Sequence, residues 1–152
     1  MILKFEDYNK KAKVISAFPG CGKSHFYNSV KDNIKILDSD SSKFDKSDFP
    51  RNYIEHIKDN LPSADIILVS SHEDVRKELV KNGMDFTLVF PDISLKEQYI
   101  KRYKERGSPE NFIKLLDTNW DNWINQLLKQ EYCSKIILKE NQYLSDVINN
   151  IW

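Results

Sequence analysis

The sequence predicts an α/β fold built on a five-stranded parallel sheet, and three observations carry that expectation. Short apolar or β-branched runs alternate along the chain with segments of helical spacing. Two of the runs, "IILV" and "TLVF", are continuously apolar, as strands buried on both faces are. A glycine-rich loop, "AFPGCGKS" at 17–24, lies between the first apolar run and the first helical segment, where a βαβ unit turns.

The strands are expected at 12–18 ("AKVISAF"), 34–40 ("IKILDSD"), 64–71 ("ADIILVSS"), 86–92 ("FTLVFPD") and 134–140 ("SKIILKE"). Between them, "GKSHFYNSVKDN", "SDFPRNYIEHIKDNL", "HEDVRKELVKNG" and a long stretch from Ser94 to about Lys129 are expected to be helical. In the second of these Tyr53, Ile54, Ile57 and Leu61 recur at helical spacing, and Ser47 and Asp48 offer N-cap chemistry. Leu116, Trp120, Trp123 and Leu127 recur likewise and read as core or interface rather than a base-stacking platform.

At 152 residues, without a repeat, a low-complexity tract or a Pro/Gly-rich linker, the chain is expected to be one domain over 1–152. Lys plus Arg and Asp plus Glu number 23 each, so no global field favours a polyanion, and nucleic acid is not the favoured partner. Cys21 and Cys133 stand far apart without a CxxC or CxxH companion, which argues against a disulfide framework and a zinc site. No apolar run approaches a membrane span, and "MILKFEDYNKKAKV" lacks the apolar core of a signal peptide. The expected location is the cytoplasm, with no membrane partner.

The loop from Ala17 to Ser24 differs by one residue from GxxxxGK(S/T), with Ala17 where the first glycine stands. Gly20 and Gly22 permit a backbone whose N–H groups turn inward onto phosphates, and the following helix adds its positive end. Pro19, Gly20, Cys21, Gly22, Lys23, Ser24 and His25 are therefore the candidate nucleotide-binding residues, with Lys23 on the terminal phosphates and the Ser24 hydroxyl on magnesium. Cys21 reads as a small loop filler rather than a reactive thiol.

The second strand runs into "LDSDSS", which sets Asp38 and Asp40 on one side of the extended backbone, near where phosphate, metal and acceptor would meet. Carboxylates there can hold Mg2+ and accept the proton of an attacking hydroxyl, or form a solvated turn. From Lys96 to Lys114 six Lys/Arg face three Glu, and Arg102 and Arg106 lie four apart on one helical face. Two such guanidinium groups can neutralise a transferring phosphoryl group; a basic solvated helix is the plain alternative.

With "FPGCGKS", "DSD", a helical acceptor segment at about 44–61 and "RYKER", the chain resembles the P-loop nucleotide and small-molecule kinases, the group of adenylate, shikimate and gluconate kinases. The resemblance implies a three-layer fold with strand order 2-3-1-4-5 and a short helical lid at about 95–114. It also implies ATP and Mg2+ as cofactors and phosphoryl transfer as the reaction.

The chain departs from that pattern at the third strand, which ends Ser70-Ser71-His72 rather than in an acid; Mg2+ then depends on Ser24 and the Asp38/Asp40 pair. Ser70 and Ser71 can bond a phosphate or acceptor, or serve the turn. His72 reads as a cap for the helix after it, and His25 and His56 lack partner spacing. Arg51 and Arg76 follow the second and third strands, where an acceptor's phosphate can be gripped; surface placement is the default.

The leading expectation is an ATP-dependent kinase, monomer or homodimer, acting on a nucleoside monophosphate or nucleoside. The alternatives are a kinase acting on a modified base or end in DNA, in a bacterial or phage-infected cell, and a nucleotide-binding regulatory protein with little turnover.

Overall fold

The computed structural model describes residues 12–29, 34–39 and 43–148. Five strands, β1 (Lys13–Ala17), β2 (Ile36–Asp38), β3 (Ile66–Ser70), β4 (Thr87–Pro91) and β5 (Ser134–Leu138), form one parallel sheet in the order β2-β3-β1-β4-β5. Helices α1 (Lys23–Ser29), α2 (Arg51–Asn60), α3 (Glu73–Lys81), α4 (Lys96–Glu105), α5 (Glu110–Lys129) and α6 (Leu144–Val147) connect and cover the strands, with a 3-10 turn at Ile93–Leu95 before α4. This agrees with the expected α/β class, the five parallel strands and the expected strand order.

Burial follows the apolar pattern. Ile66, Ile67, Leu68 and Val69 of the interior strand β3 are all inaccessible, so both of its faces are covered. The edge strand β2 has three residues and is only half-buried, which limits the exposed ladder available to another chain. On α2, Tyr53, Ile54 and Ile57 face the core. On α5, Leu116, Trp120, Ile124 and Leu127 form one stripe. Trp120 is fully buried, donates its indole N–H to the Ile93 carbonyl (2.8 Å) and meets Phe18 edge to face at 5.6 Å. Truncating it to Ala should destabilise by roughly 3–5 kcal/mol.

The start of α2 differs from expectation. Pro50 occupies the N-cap, with no side-chain cap, because Ser47 and Asp48 are engaged elsewhere. The Ser47 amide and hydroxyl both donate to Asp45 (3.0 and 2.9 Å), and Asp48 pairs with Arg51. The segment expected as a lid is also more deeply built in than a flap, since Tyr99 and Tyr103 of α4 are fully buried. Among the described residues, no helix is long and apolar enough to cross a membrane.

The parallel register brings the carboxyl ends of the strands to one edge: Ala17 stands opposite Ser70 and Val89, and Asp38 opposite Leu68. Ligands in open α/β sheets bind beyond that edge.

Candidate functional site

Beyond the strand ends lies a cleft of about 890 Å³. Lys23 and Ser24, at the start of α1, line it together with Asp38 from the end of β2 and Ser70, Ser71 and His72 from the end of β3. Arg76 reaches it from α3, while Phe49, Phe112, Leu115 and Trp123 form an apolar wall. The lining thus carries two cations, Lys23 and Arg76, three carboxylates, Asp38, Glu73 and Asp74, and several serine hydroxyls, beside apolar surface that suits the flat face of an aromatic group.

The loop between β1 and α1 owes its shape to groups on the side away from the cleft. Tyr103 Oη donates to the Pro19 carbonyl (2.7 Å), Arg102 Nη1 to the Gly20 carbonyl (2.9 Å) and the Leu144 amide to the Cys21 carbonyl (2.8 Å). In a trans peptide the N–H points opposite to the carbonyl before it, so these three bonds turn the amides of Gly20, Cys21 and Gly22 the other way. That of Cys21 closes a turn on the Phe18 carbonyl (3.3 Å).

Gly20 and Gly22 have φ of +89° and +91°, a region costly for other residues. A Cβ on Gly20 would lie 2.8 Å from the Tyr103 ring, and one on Gly22 would lie 3.2 Å from Tyr143. Glycine is required here by backbone conformation and by close packing at once.

The predicted residues separate into those facing the cleft and those that do not. Lys23, Ser24, Asp38, Ser70, Ser71, Arg76 and Pro19 line it. The Cys21 side chain is fully buried behind the loop, near the Val89 carbonyl (3.8 Å) and Tyr99 Oη (4.0 Å), and burial pushes its thiol up to about 12. It is a filler, as expected. His25 is exposed on α1 and does not line the cleft. Asp40 lies outside the described residues.

Among the arginines, Arg51 is exposed and bound to Asp48 and Glu55. Arg102 lies between the rings of Tyr99 (4.3 Å) and Tyr143 (4.2 Å), on the outer side of the loop. Arg106, at the end of α4, donates to Ser108 Oγ (2.9 Å) and stands over Tyr103 (5.1 Å). Arg76 is 5% exposed, and its bonds go to neutral oxygens, the Ser71 carbonyl (2.9 Å) and Gln130 Oε1 (2.7 Å). Burial lowers its pKa from the usual arginine value, but a guanidinium keeps its charge. Arg76 is thus a buried cation that, among the described residues, bonds no carboxylate, and the adjoining cleft is where an anion would complete it.

His72 occupies the N-cap of α3 without a side-chain cap, so the expected capping role is confined to its backbone position. Burial first, and the charge of Lys23 second, hold its imidazole below the ordinary value and hence largely neutral at pH 7. His56 has a partner that spacing could not reveal, Ser39 Oγ at 3.0 Å.

Two groups of functional residues escaped sequence reasoning. Tyr99 and Tyr103 stand four apart, an apolar stripe on α4 that the basic residues around it conceal. Tyr143 has no sequence signal at all. Tyr53 was expected only in the core, yet its hydroxyl donates to the Ser39 carbonyl (2.6 Å) and accepts from the Ser70 amide (3.2 Å), joining the ends of β2 and β3. Among the described residues no three His, Cys, Asp or Glu side chains gather as a metal cluster. In comparisons with known proteins, no family model and no curated protein matches this chain.

Proposed function

We propose that the protein is a kinase that transfers the γ-phosphoryl group of ATP to a hydroxyl of a small acceptor bearing an aromatic base, a nucleoside monophosphate or nucleoside. The observation that carries this reading is the cleft itself: Lys23, Ser24 and Asp38, drawn from two strand ends, line one cavity with Phe49, Phe112 and Trp123.

In this reading the loop amides and Lys23 hold the phosphates and offset their charge. The donor set of a Ser24 hydroxyl and an Asp38 carboxylate, both oxygen, fits Mg2+. Bound there, Mg2+ would neutralise charge on the β- and γ-phosphates. Asp38, with Asp40 beside it in sequence, orients the acceptor hydroxyl and takes its proton as the acceptor oxygen bonds to γ-phosphorus. The bond from that phosphorus to the β–γ bridging oxygen breaks, and ADP leaves.

Arg106 supplies charge to the moving phosphoryl group; it sits at the exposed end of α4 with one bond to a serine, so it can swing. Arg76, with Ser70 and Ser71, holds an anionic group of the acceptor, which favours a phosphorylated acceptor over a polyol. Arg51 is paired on the surface with Asp48 and Glu55, which an acceptor's anionic group would have to displace.

The test is ADP release from ATP and Mg2+ by the purified protein. The acceptor panel holds nucleoside monophosphates, nucleosides, polyols and single-stranded DNA carrying hydroxylated bases, and Lys23→Ala is the control. Selective turnover with a mononucleotide or nucleoside, absent in the control, is the expected result. Turnover with DNA alone would move the acceptor to the polymer. ATP binding that no acceptor converts to turnover would sink the kinase reading and leave a nucleotide-binding regulator.

A further inference from the structure

The phosphate loop is gripped by two elements far from it in sequence, and the gripping groups stand outside the cleft. Tyr103 and Arg102 of α4 take the carbonyls of Pro19 and Gly20, while the Leu144 amide at the start of α6 takes that of Cys21. Tyr143 roofs Gly22, and Tyr99 and Tyr103 pack on Gly20.

Arg102 links the two elements. Its guanidinium carbon stands over the rings of both Tyr99 (4.3 Å) and Tyr143 (4.2 Å) while Nη1 donates to the Gly20 carbonyl, so two aromatic contacts hold the group that meets the loop. A double contact of this kind needs a flat cation, so lysine cannot reproduce it. A loop with two glycines at positive φ has many alternative conformations when unrestrained. If only a fraction of the population holds the receiving shape, apparent affinity falls by that fraction.

We propose that Arg102, clamped between Tyr99 and Tyr143, is a positioning residue that presets the phosphate loop for the nucleotide before it arrives. It acts through the loop carbonyls rather than on the transferring group. The proposal rests on the phosphate-binding reading of the loop and adds to it a coupling between α6 and the nucleotide.

Cys21 reports on the loop directly, because its side chain is sealed behind the clamped turn; Cys133, half-buried just before β5 and near Arg76, serves as the internal control for unfolding. Thiol labelling resolved by peptide mass spectrometry is measured alongside calorimetric ATP·Mg2+ affinity and kcat at saturating ATP, in wild type, Arg102→Ala, Arg102→Lys and Tyr143→Leu. Loss of the charge-assisted bond is expected to speed Cys21 labelling, and to weaken ATP binding, by on the order of tenfold in Arg102→Ala. The effects should be smaller in the other two variants, with Cys133 labelling unchanged and kcat little affected.

Cys21 labelling at the wild-type rate in folded variants overturns the proposal. So does faster labelling with undiminished ATP affinity, or a kcat loss with affinity intact, which would put Arg102 on the reacting groups. A wild type that binds no ATP overturns the phosphate reading itself, a separate result from a loop that the clamp does not hold. If Arg102→Ala does not fold, with both cysteines labelling rapidly, Arg102→Lys and Tyr143→Leu decide the matter.

Discussion

On the side of the glycine loop that packs against α4 and α6, the carbonyls of Pro19, Gly20 and Cys21 each have a donor, and aromatic rings seal the turn. On the side that faces the cleft, Lys23, Ser24 and Asp38 pair with nothing among the described residues, and Arg76 holds only neutral partners. The outer side is a finished piece of protein interior; the inner side is a set of charges and hydroxyls without counterparts. Ser24 and Asp38 are open to water and cost little to hold unpaired; their gathering at the carboxyl edge of the sheet, beside a braced loop, is what marks this edge as a place for a ligand.

The sharpest ways to break this contrast act on the transfer itself, through Arg106 at the end of α4 and Asp38 in the cleft. Arg106→Ala should lower kcat by about a thousandfold at saturating ATP with little change in ATP affinity, as for other cations that meet a transferring phosphoryl group. Steady-state kinetics beside calorimetry checks this, and a shift confined to affinity would return Arg106 to the surface. Asp38→Asn should cost roughly a hundredfold or more in kcat while ATP still binds. Equal turnover in that variant would show that the proton of the acceptor goes elsewhere.

On the outer side the effects should fall on stability. Gly20→Ala needs φ near +89° with a Cβ 2.8 Å from the Tyr103 ring, so it should destabilise by about 1–3 kcal/mol. Thermal unfolding would read this as a Tm lower by several degrees. Tyr53→Phe removes the hydroxyl that joins Ser39 and Ser70 and keeps the ring. A rise of several-fold in acceptor KM with unchanged ATP affinity is expected, since the β2 end shifts while the loop does not.

The smallest effect concerns pH. Burial pushes the Cys21 thiol up to about 12, whereas an unfolded chain releases that proton near 8.5. A group whose folded pKa is raised contributes fully below its unfolded value and loses that contribution as pH rises toward the folded one. Stability should therefore decline between about pH 8.5 and 12, and Cys21→Ala should show a shallower decline from pH 8 to pH 10 in urea midpoints. Tyr99 and Tyr103, also raised by burial, continue the decline at the upper end of that range and beyond it.

The sheet was legible because apolar runs and helical spacing encode burial one element at a time. Ile66 to Val69 need no partner information to be read as an interior strand, and the loop declares itself because glycine and lysine act through backbone and charge at fixed spacing. The surroundings of the loop were not legible. Arg102 and Arg106 are alike in sequence, and only the tertiary fold puts the first between two rings and leaves the second at the end of a helix. Phe112 and Trp123 of α5 line the cleft, whereas spacing along the helix assigns Trp123 to core or interface and gives Phe112 no part. At the start of α2 local chemistry misled: the Ser47 hydroxyl donates to Asp45 instead of accepting from the helix amides.

The bond from the Leu144 amide to the Cys21 carbonyl has a consequence in time. A ribosome makes the loop early and its α6 partner late, so a growing polypeptide carries the glycine turn for seconds without that restraint. A chain truncated before Tyr143 keeps every strand of the sheet in its sequence yet should leave Cys21 open to labelling.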